Sequence, residues 1–221
     1  MITQKEILRI AKERKACKRG IEWYSDRPKR DLLTWEALDR GYFQWVAWNV
    51  PAALPYLRTL PEELKERALA APEEHIRISM ALIGYRLDVL KDDPKWVVRI
   101  EVAEQGYALE KLKDDPYYEV RAEVAKKGHA LEQLKDDIHP WVRKEVALKG
   151  HALEQLKDDP EWIVRRAVAS QGYALDQLKD DPRWFVRRAV ASQGYALEKL
   201  KDDPWWEVRE EARKKLKENK I

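Results

Sequence analysis

Cysteine is almost absent from this 221-residue chain: Cys17 stands alone. A single thiol excludes an internal disulfide and any site built from several cysteines, and it fits a reducing, cytoplasmic setting. Histidine is nearly as sparse, with four residues and no His-x-x-x-His spacing of a zinc site. No apolar run approaches the roughly 18 residues that span a bilayer, and the first residues lead into charge rather than into the apolar core of a secretory signal. Glycine numbers eight, with no Gly-rich phosphate loop and no nucleophile elbow. Catalysis is therefore the least favoured class. No cofactor and no metal are implied, and a membrane is not expected as a partner.

A strong excess of one charge is also missing. The net charge is +3, although 38% of the residues are charged. Residues 1–60 hold 12 Lys+Arg against 7 Asp+Glu, while the remainder holds 31 against 33. Proteins that rely on phosphate contacts usually show a clearly basic domain, so nucleic acid is expected to be a secondary possibility at most.

What is present is a period. Leu-Lys-Asp-Asp begins at Leu90, Leu112, Leu134, Leu156, Leu178 and Leu200, every 22 residues. Six of the eight glycines, Gly84 to Gly194, keep the same interval. A unit this short cannot bury its own apolar face, so a fixed period marks a stacked-repeat architecture. In the copy Ala108 to His129, Ala108–Lys113 reads as a short first helix, and Asp114-Asp115-Pro116 restarts the chain. A second helix follows from about Pro116 to Lys127, which Gly128 ends. Residues 72–85 follow the same register, with Arg77 in the arginine position and Gly84 in the glycine position. The expected fold is all-α: a right-handed α-solenoid of 22-residue two-helix repeats, one degenerate and six regular, over residues 61–221.

On a helical wheel Val120, Val124, Ala125 and Arg121 share the packed arc. That arginine recurs as Arg99, Arg121, Arg143, Arg165, Arg187 and Arg209. An arginine among apolar neighbours needs an acid, and the Asp pair of its own or the next repeat is the expected partner; an anion-binding ladder is the alternative. An aromatic two places after the proline also recurs, as Trp96, Tyr118, Trp162, Trp184 and Trp206. The third copy shifts its proline, reading Ile138-His139-Pro140-Trp141. The following position varies while the frame around it hardly changes: Val97, Glu119, Trp141, Ile163, Phe185, Glu207. It is expected to face outward, and four apolar groups there would join the aromatic row into a stripe flanked by Arg166 and Arg188. Tyr, Trp and Arg dominate binding hot spots, so this stripe is the candidate contact surface for a partner protein. The recurrent His129 and His151, in the position of Tyr173 and Tyr195, read as surface or packing residues.

Residues 1–60 carry no repeat. Ile2 to Lys15 reads as an amphipathic helix, and Thr34 opens another. Trp23, Tyr24, Trp35, Tyr42, Phe43, Trp45 and Trp48 make the segment dense in aromatics. It is expected to be a helical capping domain, with a second binding site as the alternative.

The unit Ala-Leu-Glu-x-Leu-x-x-Asp-Pro-x-Trp-x-Val-Arg-x-x-Val-Ala resembles the leucine-rich repeat variant family and, more broadly, HEAT-type solenoids, over about residues 72–217. The resemblance implies an all-helical stack whose arginine belongs to a structural ladder. The iron–sulfur cluster of that family's founding members does not carry over to a chain with only Cys17. The segment 16–48, with Lys18-Arg19-Gly20-Ile21-Glu22-Trp23 and Trp45-Val46-Ala47-Trp48, is similar to a small phage and prophage module. That similarity implies a phage-encoded inhibitor that occupies a host protein, such as a defence protein. The expected function is a non-enzymatic protein-binding scaffold; the alternatives are a nucleic-acid-binding HEAT-like protein and a consensus-designed repeat scaffold, which such uniform copies also suit.

Overall fold

Glycine with positive φ, and an aspartate two residues before the N-cap of the next long helix, set the boundaries of the repeats in a computed structural model. The structure describes residues 62–218 apart from 73, together with Arg58. The helices read at Ile2–Lys15 and after Thr34, the aromatic capping segment and the boundary at residue 60 lie outside the described residues. The described residues form fourteen helices and no strand.

The chain packs as two compact units, Met1–Ala108 and Leu109–Ile221. In the first, α1 (Glu62–Leu69) packs on α2 (Glu74–Leu82), and α2 on α4 (Trp96–Glu104), with the four-residue α3 (Leu87–Leu90) against α2 and α4. The second unit is an α-solenoid of regular repeats. Short helices α5 (Leu109–Leu112), α7 (Leu131–Leu134), α9 (Leu153–Leu156), α11 (Leu175–Leu178) and α13 (Leu197–Leu200) alternate with long ones. These are α6 (Tyr118–Lys126), α8 (Pro140–Leu148), α10 (Trp162–Ser170), α12 (Trp184–Ser192) and α14 (Trp206–Glu218). Each long helix packs on the next, and each short helix lies against the long helix that follows it.

The long helices stop for the reason read from Gly128, whose φ is 82°. The N–H of His129 donates to Val124 O at 3.2 Å and that of Gly128 to Ala125 O at 2.8 Å, a Schellman closure that satisfies the last carbonyls. Two residues later the chain turns again through Ala130, Ala152, Ala174 and Ala196, each near φ 52–53°. Alanine in this left-handed region costs about 1 kcal/mol, so packing holds a strained residue in every unit. The short helix therefore begins after the alanine rather than on it.

The helix starts also differ from the sequence reading. Pro116 precedes α6, whose N-cap is Tyr117. Asp115 accepts the N–H of Tyr117 at 2.9 Å, so the aspartate makes a local turn that feeds the helix instead of capping its second or third residue. Only in α8 does the proline, Pro140, enter the first turn. The core of a repeat is small: Leu134, Val142, Val146 and Ala147 are buried, as are their equivalents in neighbouring copies. This little apolar surface makes the polar contacts between repeats important.

Candidate functional site

The ladder arginines bridge repeats. In the second unit Arg121, Arg143, Arg165 and Arg187 donate from Nε to Oδ2 of Asp137, Asp159, Asp181 and Asp203 at 2.6–2.7 Å. Their Nη2 groups reach Oδ1 of the same aspartates at 2.9–3.1 Å. Nη1 turns back to its own repeat, for example from Arg143 to Asp137 O at 2.7 Å. The fork takes the second acid of the next repeat and a carbonyl of its own. In the first unit Arg77 and Asp93 repeat the pairing at 2.5 and 3.0 Å, which places residues 72–85 in the array as a true, if altered, copy. Both partners are largely buried, so the ladder joins repeats and its closed rungs leave no fork for an external anion.

Asp203 illustrates the electrostatics. Burial raises its pKa, but the Arg187 hydrogen bonds, the N–H of Trp205 and the charges of Arg187 and Arg209 outweigh that and hold it below its usual 3.8. The folded chain thus takes up this proton less readily than the unfolded one. Asp203 contributes fully above about pH 4 and loses its contribution as pH falls through the lowered value. Thermal melts are expected to show a flat midpoint above pH 5 and a fall below pH 4 that Asp203→Asn reduces.

A second, exposed set of bonds ties the short-helix side together. His129 pairs with Glu110 at 3.0 Å and His151 with Glu132 at 2.9 Å, while Tyr173 donates to Glu154 at 2.6 Å. The histidines are thus surface contacts between repeats. Among the described residues no three His, Cys, Asp or Glu side chains converge on a metal site, and one cysteine offers too few thiolates for a cluster. No described helix is long and apolar enough to cross a membrane.

The variable positions gather at the N-terminal ends of the long helices. In the first unit Trp96 and Val97 are half-buried. In the second, Tyr118, Trp162 and Trp184 are half-buried, and Trp141, Phe185 and Trp206 are 47%, 36% and 59% exposed. Ile163 departs from the expected outward placement: it is only 8% exposed. Its neighbours in the register are Trp141 and Phe185, both larger, and Phe185 reaches across the repeat boundary to stack on Trp162 at 4.6 Å. Phe185 also stacks on Trp184 at 3.7 Å, and Trp184 on Trp205 at 5.9 Å, giving four rings in a row over three repeats. The row is thus both inter-repeat packing and accessible surface.

The cations follow the rings. Arg166 lies over Trp162 at 5.5 Å and Lys144 over Trp141 at 4.8 Å. Lys144 also meets Glu145 at 2.7 Å, and Arg188 lies 3.8 Å from Glu211. Arg166 meets no carboxylate among the described residues, because Ala167 and Ala189 stand where other copies have Glu123, Glu145 and Glu211. Sequence reasoning missed Trp205 and His139, the latter stacked on Tyr118 at 3.4 Å. Their position reads Lys95, Tyr117, His139, Glu161, Arg183 and Trp205, with no shared chemistry to mark it.

No protein-family model matches the chain. No curated protein matches it either. Among solved structures it is similar to one described as a leucine-rich repeat variant with a novel repetitive structural motif. That likeness has a TM-score of 0.53 and 30% identity, over 79% of this chain and 85% of the other. With that identity over most of both molecules, and a 22-residue helical unit repeated along it, the chain belongs to the leucine-rich repeat variant family.

Proposed function

We propose that the protein is a non-catalytic scaffold that captures a partner protein on the ring row of its second unit. The observation that carries this is the combination running from α10 to the start of α14: four stacked rings, of which Phe185 is 36% and Trp205 49% exposed, beside Arg166, which meets no carboxylate among the described residues. A rigid aromatic surface with an unneutralised guanidinium is the composition of a protein hot spot, and it favours a partner with apolar and acidic side chains. The frame supports the same reading, since Glu161/Arg183 and Ile163/Phe185 are two of the three differences between the fourth and fifth copies. The resemblance of residues 16–48 to a phage module favours a host protein as that partner.

Rings beside cations also suit single-stranded nucleic acid, which stacks its bases on such platforms. Against it stand Glu119, Glu145, Glu207 and Glu211 around the same face. Affinity capture from a cell lysate is expected to return a protein that survives nuclease treatment. A single-stranded oligonucleotide is expected to give no gel shift. A shift that weakens steeply with salt would replace the protein reading with nucleic acid.

A further inference from the structure

The arginine ladder of the second unit is closed by an acid at every rung but the last. Arg209 is held from behind like the others, its Nη1 donating to the carbonyls of Asp203 at 2.7 Å and Pro204 at 2.8 Å. Its Nε and Nη2, which in Arg187 meet Asp203, find no carboxylate among the described residues. The sequence explains why. Leu216 stands where glycine ends the other long helices, so α14 runs on to Glu218 instead of turning at that position. The open fork lies in a shallow hollow of about 610 Å³ along one face of α14, lined also by Trp206, Arg213, Lys214 and Lys217, with Glu210 and Glu218 the acids among the described residues there. Glu218 is engaged by Lys215 at 2.8 Å.

A guanidinium fixed on one side, with two parallel donors open on the other, is a carboxylate receptor, and surrounding cations strengthen it. We infer that this end of the second unit binds an acidic side chain of a partner protein, presented on a turn like the one that brings an aspartate to each closed rung. A second copy fits less well. In its first described repeat the position matching the ladder acids is the buried Ala71, which offers no carboxylate. The site shares Trp206 with the expected contact surface but does not depend on capture by the ring row.

The direct test is calorimetric titration of the full chain with the peptide Leu-Glu-Lys-Leu-Lys-Asp-Asp-Pro, its own acid-bearing turn at residues 197–204. Sub-millimolar binding is expected, weakened about tenfold or more when the second Asp of the peptide is changed to Asn, and similarly by Arg209→Lys, which removes the bidentate fork. Because Arg209 also supports two carbonyls, Arg213→Ala with Lys214→Ala on the exposed cap is measured alongside. It is expected to weaken binding several-fold, with circular dichroism unchanged. Absence of binding at millimolar peptide, or binding indifferent to the Asn peptide, overturns the inference. So does dimerisation of the protein alone that the cap variant abolishes, since the occupant would then be a second copy.

Discussion

Asp159→Ala is expected to destabilise the second unit by about 3 kcal/mol, the lower end of what breaking a buried ion pair costs, because the guanidinium it leaves behind is not wholly buried. The Asp159 side chain is 5% exposed and that of Arg143 13%. Removing the carboxylate takes two hydrogen bonds from Arg143 and the acceptor from the N–H of Glu161. It leaves a cation between repeats with only backbone carbonyls for partners. Glu132→Ala is the comparison. Glu132 also joins two repeats, through His151, but is 74% exposed, and its loss is expected to leave the denaturation midpoint essentially unchanged. Urea denaturation followed by circular dichroism at pH 7 measures both. Equal costs would mean that the buried ladder is no stronger a tie than the exposed one.

The ladder was legible because its parts recur together. An arginine on the packed arc and an acid at fixed spacing must meet, since neither can be buried alone. Which acid it takes was not legible: the choice between one's own repeat and the next depends on how units stack, and only coordinates show Arg121 reaching forward to Asp137. The helix ends were read correctly at Gly128, where positive φ leaves one cheap residue. The helix starts were read two residues early, because Asp115 and Pro116 form a turn that mimics capping chemistry. The left-handed alanines carry no sequence signal, since alanine is the best helix former. The candidate surface divides in the same way. Trp141 and Phe185 are accessible as their outward wheel position suggests, whereas Ile163, in the same position, is lost between larger neighbours. Burial there follows side-chain size across adjacent repeats, which a single helix wheel does not contain.

Trp184→Ala combined with Phe185→Ala is expected to have the largest effect on binding. Each ring is an anchor, and two anchors at about 2 kcal/mol apiece correspond to a loss of roughly 1000-fold in affinity. The fold should persist, because the buried side chains of α12 are Val186, Val190 and Ala191 and the ladder bond of Arg187 is untouched. Gln155→Ala with Gln177→Ala, which removes the exposed bonds to Asp136 and Asp158 on the short-helix side, is the matched control. The decisive measurement is the affinity of the captured partner for these two double variants at unchanged circular dichroism. Loss with the ring variant and retention with the glutamine variant is the predicted result. The reverse pattern would place the contact on the short helices and contradict the ring row as the binding surface.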